Sequence, residues 1–162
     1  KIEHLSTDRI ACHWISYQGA SIHNGVILGL HGGGYIAGSP RMQYALCSLL
    51  SKLTGCVCLS VDYKLCPEHP LPAAVQDVVK VYNYLLSELN IANTKISIMG
   101  ESAGGGLSLL VVQYLNDHKI ALPSSCWVNS PWTNLECNYA SWQRNSEVDA
   151  ILTFDPNRSF SK

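Results

Sequence analysis

Apolar and polar residues follow two different rhythms along this chain. Ile10–Tyr17 alternates in steps of two, the pattern of a half-buried strand. Val26–Leu30 is a short apolar run closed by glycines, which predicts a strand buried on both faces. Val57–Val61, Lys95–Met99 and Ser124–Asn129 predict three more strands. Between them the period lengthens. Leu46, Cys47, Leu49, Leu50 and Leu53 predict a helix that starts at Ser39-Pro40 and stops at Gly55. Ala74–Leu89 places Val75, Val78, Val79, Tyr82, Leu85, Leu86 and Leu89 on one helical face, with Gln76, Asp77, Lys80, Asn83 and Glu88 outward. Ala103–Asn116 is apolar almost all round, so it is predicted to be central and buried. Pro67, Pro70 and Pro72 keep Tyr63–Pro72 irregular. Beyond Pro131 the pattern weakens.

Strands alternating with helices make successive βαβ units. The expected fold class is therefore α/β: a mostly parallel sheet with helices on both faces and chemistry at the carboxyl ends of its strands. A length of 162 residues fits one domain, residues 1–162. A hydrophobic fraction of 47% excludes disorder. A net charge of −1 gives no footprint for nucleic acid or an anionic membrane. No apolar run approaches the roughly 20 residues of a membrane span. The chain begins at Lys1 without a signal-peptide pattern. Its 7 cysteines are odd in number, form no C-x-x-C pair and have no histidine at zinc-ligand spacing. They are expected to be free thiols packed as small hydrophobes, with no metal, and they lean toward a reducing, cytoplasmic compartment.

Three loops after three strands carry unusual residues. Gly100-Glu101-Ser102-Ala103-Gly104 fits G-x-S-x-G, with a predicted strand before it and a helix after it. A serine nucleophile needs that sharp turn, small residues two positions either side, and the N–H groups of the helix start beneath the developing anion. The plainer reading is a tight turn whose serine caps the helix. His31-Gly32-Gly33-Gly34-Tyr35-Ile36-Ala37-Gly38-Ser39 follows the strand Val26–Leu30. Consecutive glycines there leave peptide N–H groups open to a carbonyl oxygen, as an oxyanion hole requires; a flexible turn is the alternative. Gly32, Gly34 and Ala37 also fit the dinucleotide fingerprint G-x-G-x-x-A, with Asp62 ending the next strand. That fingerprint needs the helix to begin within the glycines, and Gly38-Ser39-Pro40 delays it. It also leaves Gly100–Gly106 unexplained, so no cofactor is expected.

The third stretch runs Asp62-Tyr63-Lys64-Leu65-Cys66-Pro67-Glu68-His69-Pro70-Leu71-Pro72-Ala73-Ala74. HGGGYIAGS, DYKLCPEHPLPAA, GESAGG and Ser130-Pro131-Trp132-Thr133-Asn134-Leu135, in this order, resemble the hormone-sensitive-lipase-like family of α/β-hydrolases, which includes arylacetamide-deacetylase-like enzymes. The resemblance covers Ile10 to Asp155. It implies an α/β-hydrolase fold and a serine carboxylesterase acting on a small-molecule ester without cofactor or metal. It implies Ser102 as nucleophile and the N–H groups of Gly33, Gly34 and Ala103 as the oxyanion hole. His31 would orient the glycine loop, with Gly32, Gly100, Glu101 and Gly104 supporting the turn. Asp62, Glu68 and His69 would belong to a supporting loop beside the site. Lys64 stands where the family has Arg, Cys66 where it has Ala, and Asn134 where it has Asp.

Serine hydrolysis also needs a base and an acid to orient it, and in α/β-hydrolases both follow the serine. The histidine after Ser102 is His118, which ends the predicted helix about 24 Å away. It is not expected to be the base. His31 and His69 flank the site, but the resemblance gives both other duties. Asp149 and Asp155 come before the position of the family's acid, and Glu147–Thr153 resembles the segment before a following helix. The expectation is a domain whose late strands and N-terminal cap lie outside these residues. Two readings stay open: the nucleophile-bearing part of a carboxylesterase, or a short product that folds partly or binds a ligand without turnover. The family does contain a plant hormone receptor that lacks the catalytic His.

Overall fold

A strand that the pattern does not announce, β1 (Ile2–Thr7), comes first in the computed structural model, which describes residues 1–7, 10–150 and 152. The predicted strands follow as β2 (Ile10–Ile15), β3 (Val26–Leu30), β4 (Val57–Val61), β5 (Ile96–Glu101) and β6 (Ser125–Asn129). They form one six-stranded sheet in the order β1-β2-β4-β3-β5-β6. β1 pairs antiparallel with β2, and β2 antiparallel with β4; the other pairs are parallel. The sheet and its helices belong to a unit spanning Lys1–Pro131.

The strand order sets where chemistry can happen. From β3 the chain passes through α1 (Tyr44–Thr54) to β4 on one side. From β4 it passes through α2 (Ala73–Ser87) and crosses back over β3 to β5 on the other side. Right-handed crossovers in opposite directions put α1 on one face and α2 and α3 (Ala103–Asp117) on the other. The direction reverses between β3 and β5. Their carboxyl ends are neighbours, with Leu30 in register with Gly100.

α1 packs on β4 and β2, over a cluster of Ile15, Cys47, Cys58 and Met99. α3 packs on β5, β6 and β3, and α2 packs on α3. Leu28, Leu59, Ile98, Leu85, Leu107 and Leu115 are fully buried. Each such side chain contributes about 1.5–3 kcal/mol of transfer free energy.

Three details differ from the periodic pattern. Asp77, expected to face outward, is 1% exposed, because Lys64 reaches over it from the preceding loop. α3 is buried through Ala103–Ser108 and at Val111 and Leu115, but Leu109 and Leu110 are 40% and 43% exposed. Ser39 precedes a 3₁₀ turn, Pro40–Gln43, and its side chain makes no capping bond; α1 begins only at Tyr44. All seven cysteines are free thiols, as read from their spacing.

Residues from Trp132 form a second compact unit. α4 (Ala140–Arg144) is a short helix within it. Asn134 organises the turn before α4: its Oδ1 accepts from the Glu136 N–H at 3.1 Å and its Nδ2 donates to Asn138 Oδ1 at 2.7 Å. An aspartate could accept in this way but not donate, so the amide here is used at both ends.

Candidate active site

β5 ends at Glu101 and α3 begins at Ala103, so Ser102 makes the whole strand-to-helix turn. It does so at φ 52° and ψ −121°, a region that costs a non-glycine residue about 1–3 kcal/mol. The Ser102 N–H donates to the Asn129 carbonyl at 3.0 Å, which ties the turn to the end of β6. The Ser102 side chain is exposed and makes no capping bond to its own helix. The plainer reading of this serine as a helix cap therefore does not hold.

The flanking glycines answer to close contacts. A Cβ on Gly104 would run into the carbonyl oxygens of Leu30 and His31 at the end of β3. A Cβ on Gly100 would meet the Gly104 carbonyl and stand 2.6 Å from Ser108 Oγ. The obstacle at Gly104 is thus the end of the adjacent strand. The obstacle at Gly100 is the first turn of α3.

The glycine loop after β3 reaches the same point. A Cβ on Gly32 would lie 3.4 Å from Ser102 Cβ and 3.4 Å from the Glu101 carbonyl oxygen. Beyond it the loop closes on itself: the Gly33 carbonyl accepts from the N–H groups of Ile36 at 3.2 Å and Ala37 at 3.0 Å. Gly33 sits at φ 121°, where a side chain would also collide with the Ala37 carbonyl. This turn leaves the N–H groups of Gly33 and Gly34 without an acceptor among the described residues. Ala103 opens α3, where the first N–H groups have no partner within the helix.

His31 anchors the start of the loop. It is fully buried, and its Nδ1 lies 2.7 Å from the Gly32 carbonyl oxygen. That contact requires a proton on Nδ1, so the neutral ring keeps its lone pair on Nε2. Nε2 has no hydrogen-bond partner among the described residues. Burial pushes the His31 pKa below its ordinary value, against the opposing pull of the Gly32 carbonyl, Asp62 and Glu101. The Tyr63 ring stacks on the imidazole with centroids 4.3 Å apart, and its hydroxyl donates to the His31 carbonyl at 2.6 Å. Burial raises the Tyr63 pKa, so this donor stays protonated.

Asp62, Glu68 and His69 are exposed, and their side chains make no hydrogen bond among the described residues. The ties of this loop come from residues beside them. The Cys66 N–H donates to the Tyr35 carbonyl at 2.7 Å, joining the two loops. Lys64 donates to Asp77 twice, from its main-chain N–H at 3.1 Å and from Nζ at 2.8 Å. Tyr63 and Asp77 were not singled out from the sequence. Tyr63 had a signal, as an aromatic two positions after the apolar strand Val57–Val61; Asp77 had none, because its spacing is that of the outer face.

Among the described residues, no imidazole hydrogen-bonds to Ser102. His118 caps the far end of α3, stacked on Tyr114 and bonded to its carbonyl. Asp149 accepts from the Leu152 N–H in the second unit, and Asp155 lies outside the described residues. No group of three or more His, Cys, Asp or Glu that could hold a metal occurs among the described residues. No helix there is long and apolar enough to cross a membrane.

A strained, exposed serine turn thus stands beside a loop of open N–H groups. Residues 27–162 match the family of the alpha/beta hydrolase fold. An esterase from the bacterial hormone-sensitive lipase family superposes with a TM-score of 0.89 at 34% identity, covering 99% of this chain and 53% of that one. An acetyl-hydrolase of Streptomyces hygroscopicus is 40% identical over 126 residues, 78% of this chain and 42% of its own. An esterase of Acinetobacter venetianus is 33% identical over 130 residues, 80% of this chain and 43% of its own. The chain belongs to the α/β-hydrolase fold family, in its hormone-sensitive-lipase-like group of esterases. It spans about half the length of the relatives it matches.

Proposed function

We propose that this chain is the nucleophile-bearing part of a serine carboxylesterase. Ser102 Oγ attacks the ester carbonyl, the alcohol leaves, and water hydrolyses the acyl-enzyme. The N–H groups of Gly33, Gly34 and Ala103 receive the oxyanion, and His31 with Tyr63 holds the loop that carries the first two. The observation that carries this reading is the conformation of Ser102. It is strained and exposed, its hydroxyl is not used as a cap, and the glycine loop lies against its Cβ. A turn with only a structural role has no reason to hold a serine there. The orienting acid and the general base are proposed to come from residues outside this span. The substrate is proposed to be a small-molecule carboxylic ester, since the relatives carry the names acetyl-hydrolase and esterase.

The absence of an imidazole at Ser102 among the described residues supports a second reading: a ligand-binding protein of the same fold without turnover. One experiment separates the two. The full-length protein and the 162-residue chain are treated with a fluorophosphonate probe and assayed with p-nitrophenyl butyrate. The expected result is labelling and turnover in the full-length protein, both abolished by Ser102→Ala, with neither in the isolated chain. Labelling at another residue, or turnover that survives Ser102→Ala, rejects Ser102 as nucleophile. Absence of both in the full-length protein favours the binder.

A further inference from the structure

The glycine loop is anchored at its start by His31, and a second anchor stands at its far end. Gln43 closes the 3₁₀ turn Pro40–Gln43 that follows the loop, yet it is 2% exposed. Its side chain lies against the sheet face at Gly29 and Ser60. The Ser60 hydroxyl of β4, itself fully buried, donates to Gln43 Oε1 at 2.9 Å. Gly29 of β3 stands in register with Ser60 and makes the room: a Cβ there would lie 2.9 Å from Gln43 Oε1. A strand-interior glycine beside a buried serine forms a polar notch in an apolar sheet, and one amide fills it. A buried hydroxyl or amide carbonyl left unpaired is costly, so the pair holds the loop's end in one place.

We infer that Gln43 is a positioning residue for the oxyanion loop, keyed into the Gly29–Ser60 notch so that the N–H groups of Gly33 and Gly34 hold their aim. This rests on the proposed esterase reading only for its kinetic consequence. The link between notch and loop is structural, and it can be read without turnover. Donors that must meet a developing oxyanion tolerate little displacement, and a shift of about 1 Å can cost on the order of 100-fold in rate.

The test uses the full-length protein with Gln43→Met, which keeps the length of the side chain and removes the carbonyl. Ser60→Ala removes the donor, and Ser60→Thr keeps it. Two readouts are taken. Hydrogen exchange at the Ile36 and Ala37 amides reports the turn directly, because both bond to the Gly33 carbonyl. Gln43→Met and Ser60→Ala are expected to speed it about tenfold, with Leu28 and Leu59 in the sheet unchanged and Ser60→Thr close to wild type. With p-nitrophenyl butyrate the same two variants are expected to lose about 10- to 100-fold in kcat at a KM within about twofold. Unchanged exchange at Ile36 and Ala37 while Leu28 and Leu59 stay protected overturns the inference, whatever the activity. Exchange that rises at all four positions also overturns it, since the notch would then serve only the stability of the sheet. A wild-type protein without turnover rejects the esterase reading and leaves the exchange measurement to decide the inference.

Discussion

At the scale of single residues, the proposed chemistry rests on groups that are costly to hold. Ser102 occupies a disfavoured backbone region, and His31 is buried with one nitrogen unpaired among the described residues. The second has a consequence for pH. Unfolded, the imidazole takes up a proton as the pH falls through about 6.5; folded, burial delays that uptake to lower pH. Below about 6.5 the unfolded chain therefore binds more protons, so stability is lost as the pH falls and regained as it rises. The slope is at most about 1.4 kcal/mol per pH unit for one group. His31→Asn should flatten this dependence. Urea midpoints between pH 7.5 and 5.5, wild type against variant, measure it; parallel curves would show that His31 contributes nothing to it.

At the scale of elements, close approach decides more than propensity does. Gly104 lets α3 start directly against the carbonyl groups ending β3, so Gly104→Ala must push helix and strand apart. Overpacking of this kind costs about 1–3 kcal/mol. Because the turn carries Ser102, phosphonylation by the probe should slow as well. A variant with wild-type melting and labelling would remove the steric argument. Asp77 is the counterpart on α2. Asp77→Ala removes the acceptor of the Lys64 main-chain N–H as well as the ion pair, an expected loss of about 1–3 kcal/mol in urea unfolding. Asp77→Asn, which keeps a carbonyl for that N–H, should lose less. Strand and helix positions were legible because their periodicities are local. The burial of Asp77 was not, since one charged position on a helix looks the same whether water or a lysine from another segment covers it. The exposure of Leu109 and Leu110 escaped for the same reason: an all-apolar helix states what it could bury, not what packs against it.

At the scale of the whole molecule, the sheet presents β6 at one edge. β6 pairs with β5 and with no other strand among the described residues, and Trp127 on it is 53% exposed. An apolar edge strand is a template for further pairing. The 162-residue chain made alone should therefore self-associate as its concentration rises, and Trp127→Lys should weaken that association. Sedimentation velocity over about a tenfold concentration range would test it; wild type and variant sedimenting alike as monomers would contradict it.

Four ordered motifs, each placed after a strand or before a helix, made the family and the candidate nucleophile readable from the sequence. Those features are local: a glycine run, a turn pentapeptide and a hydrophobic period are contained in a few neighbouring residues. What they do not contain is the order of the strands. That order depends on crossover direction and on pairings between distant segments, and it alone makes β3 and β5 neighbours with adjoining carboxyl ends. Gly32 meets Ser102, the Leu30 carbonyl meets Gly104, and Gln43 finds its notch between Gly29 and Ser60 only once the sheet has formed. The sequence by itself determined the family and which loops hold the candidate residues. The tertiary structure decided that they face one another, because contacts between distant segments are made by packing and leave no period in the chain.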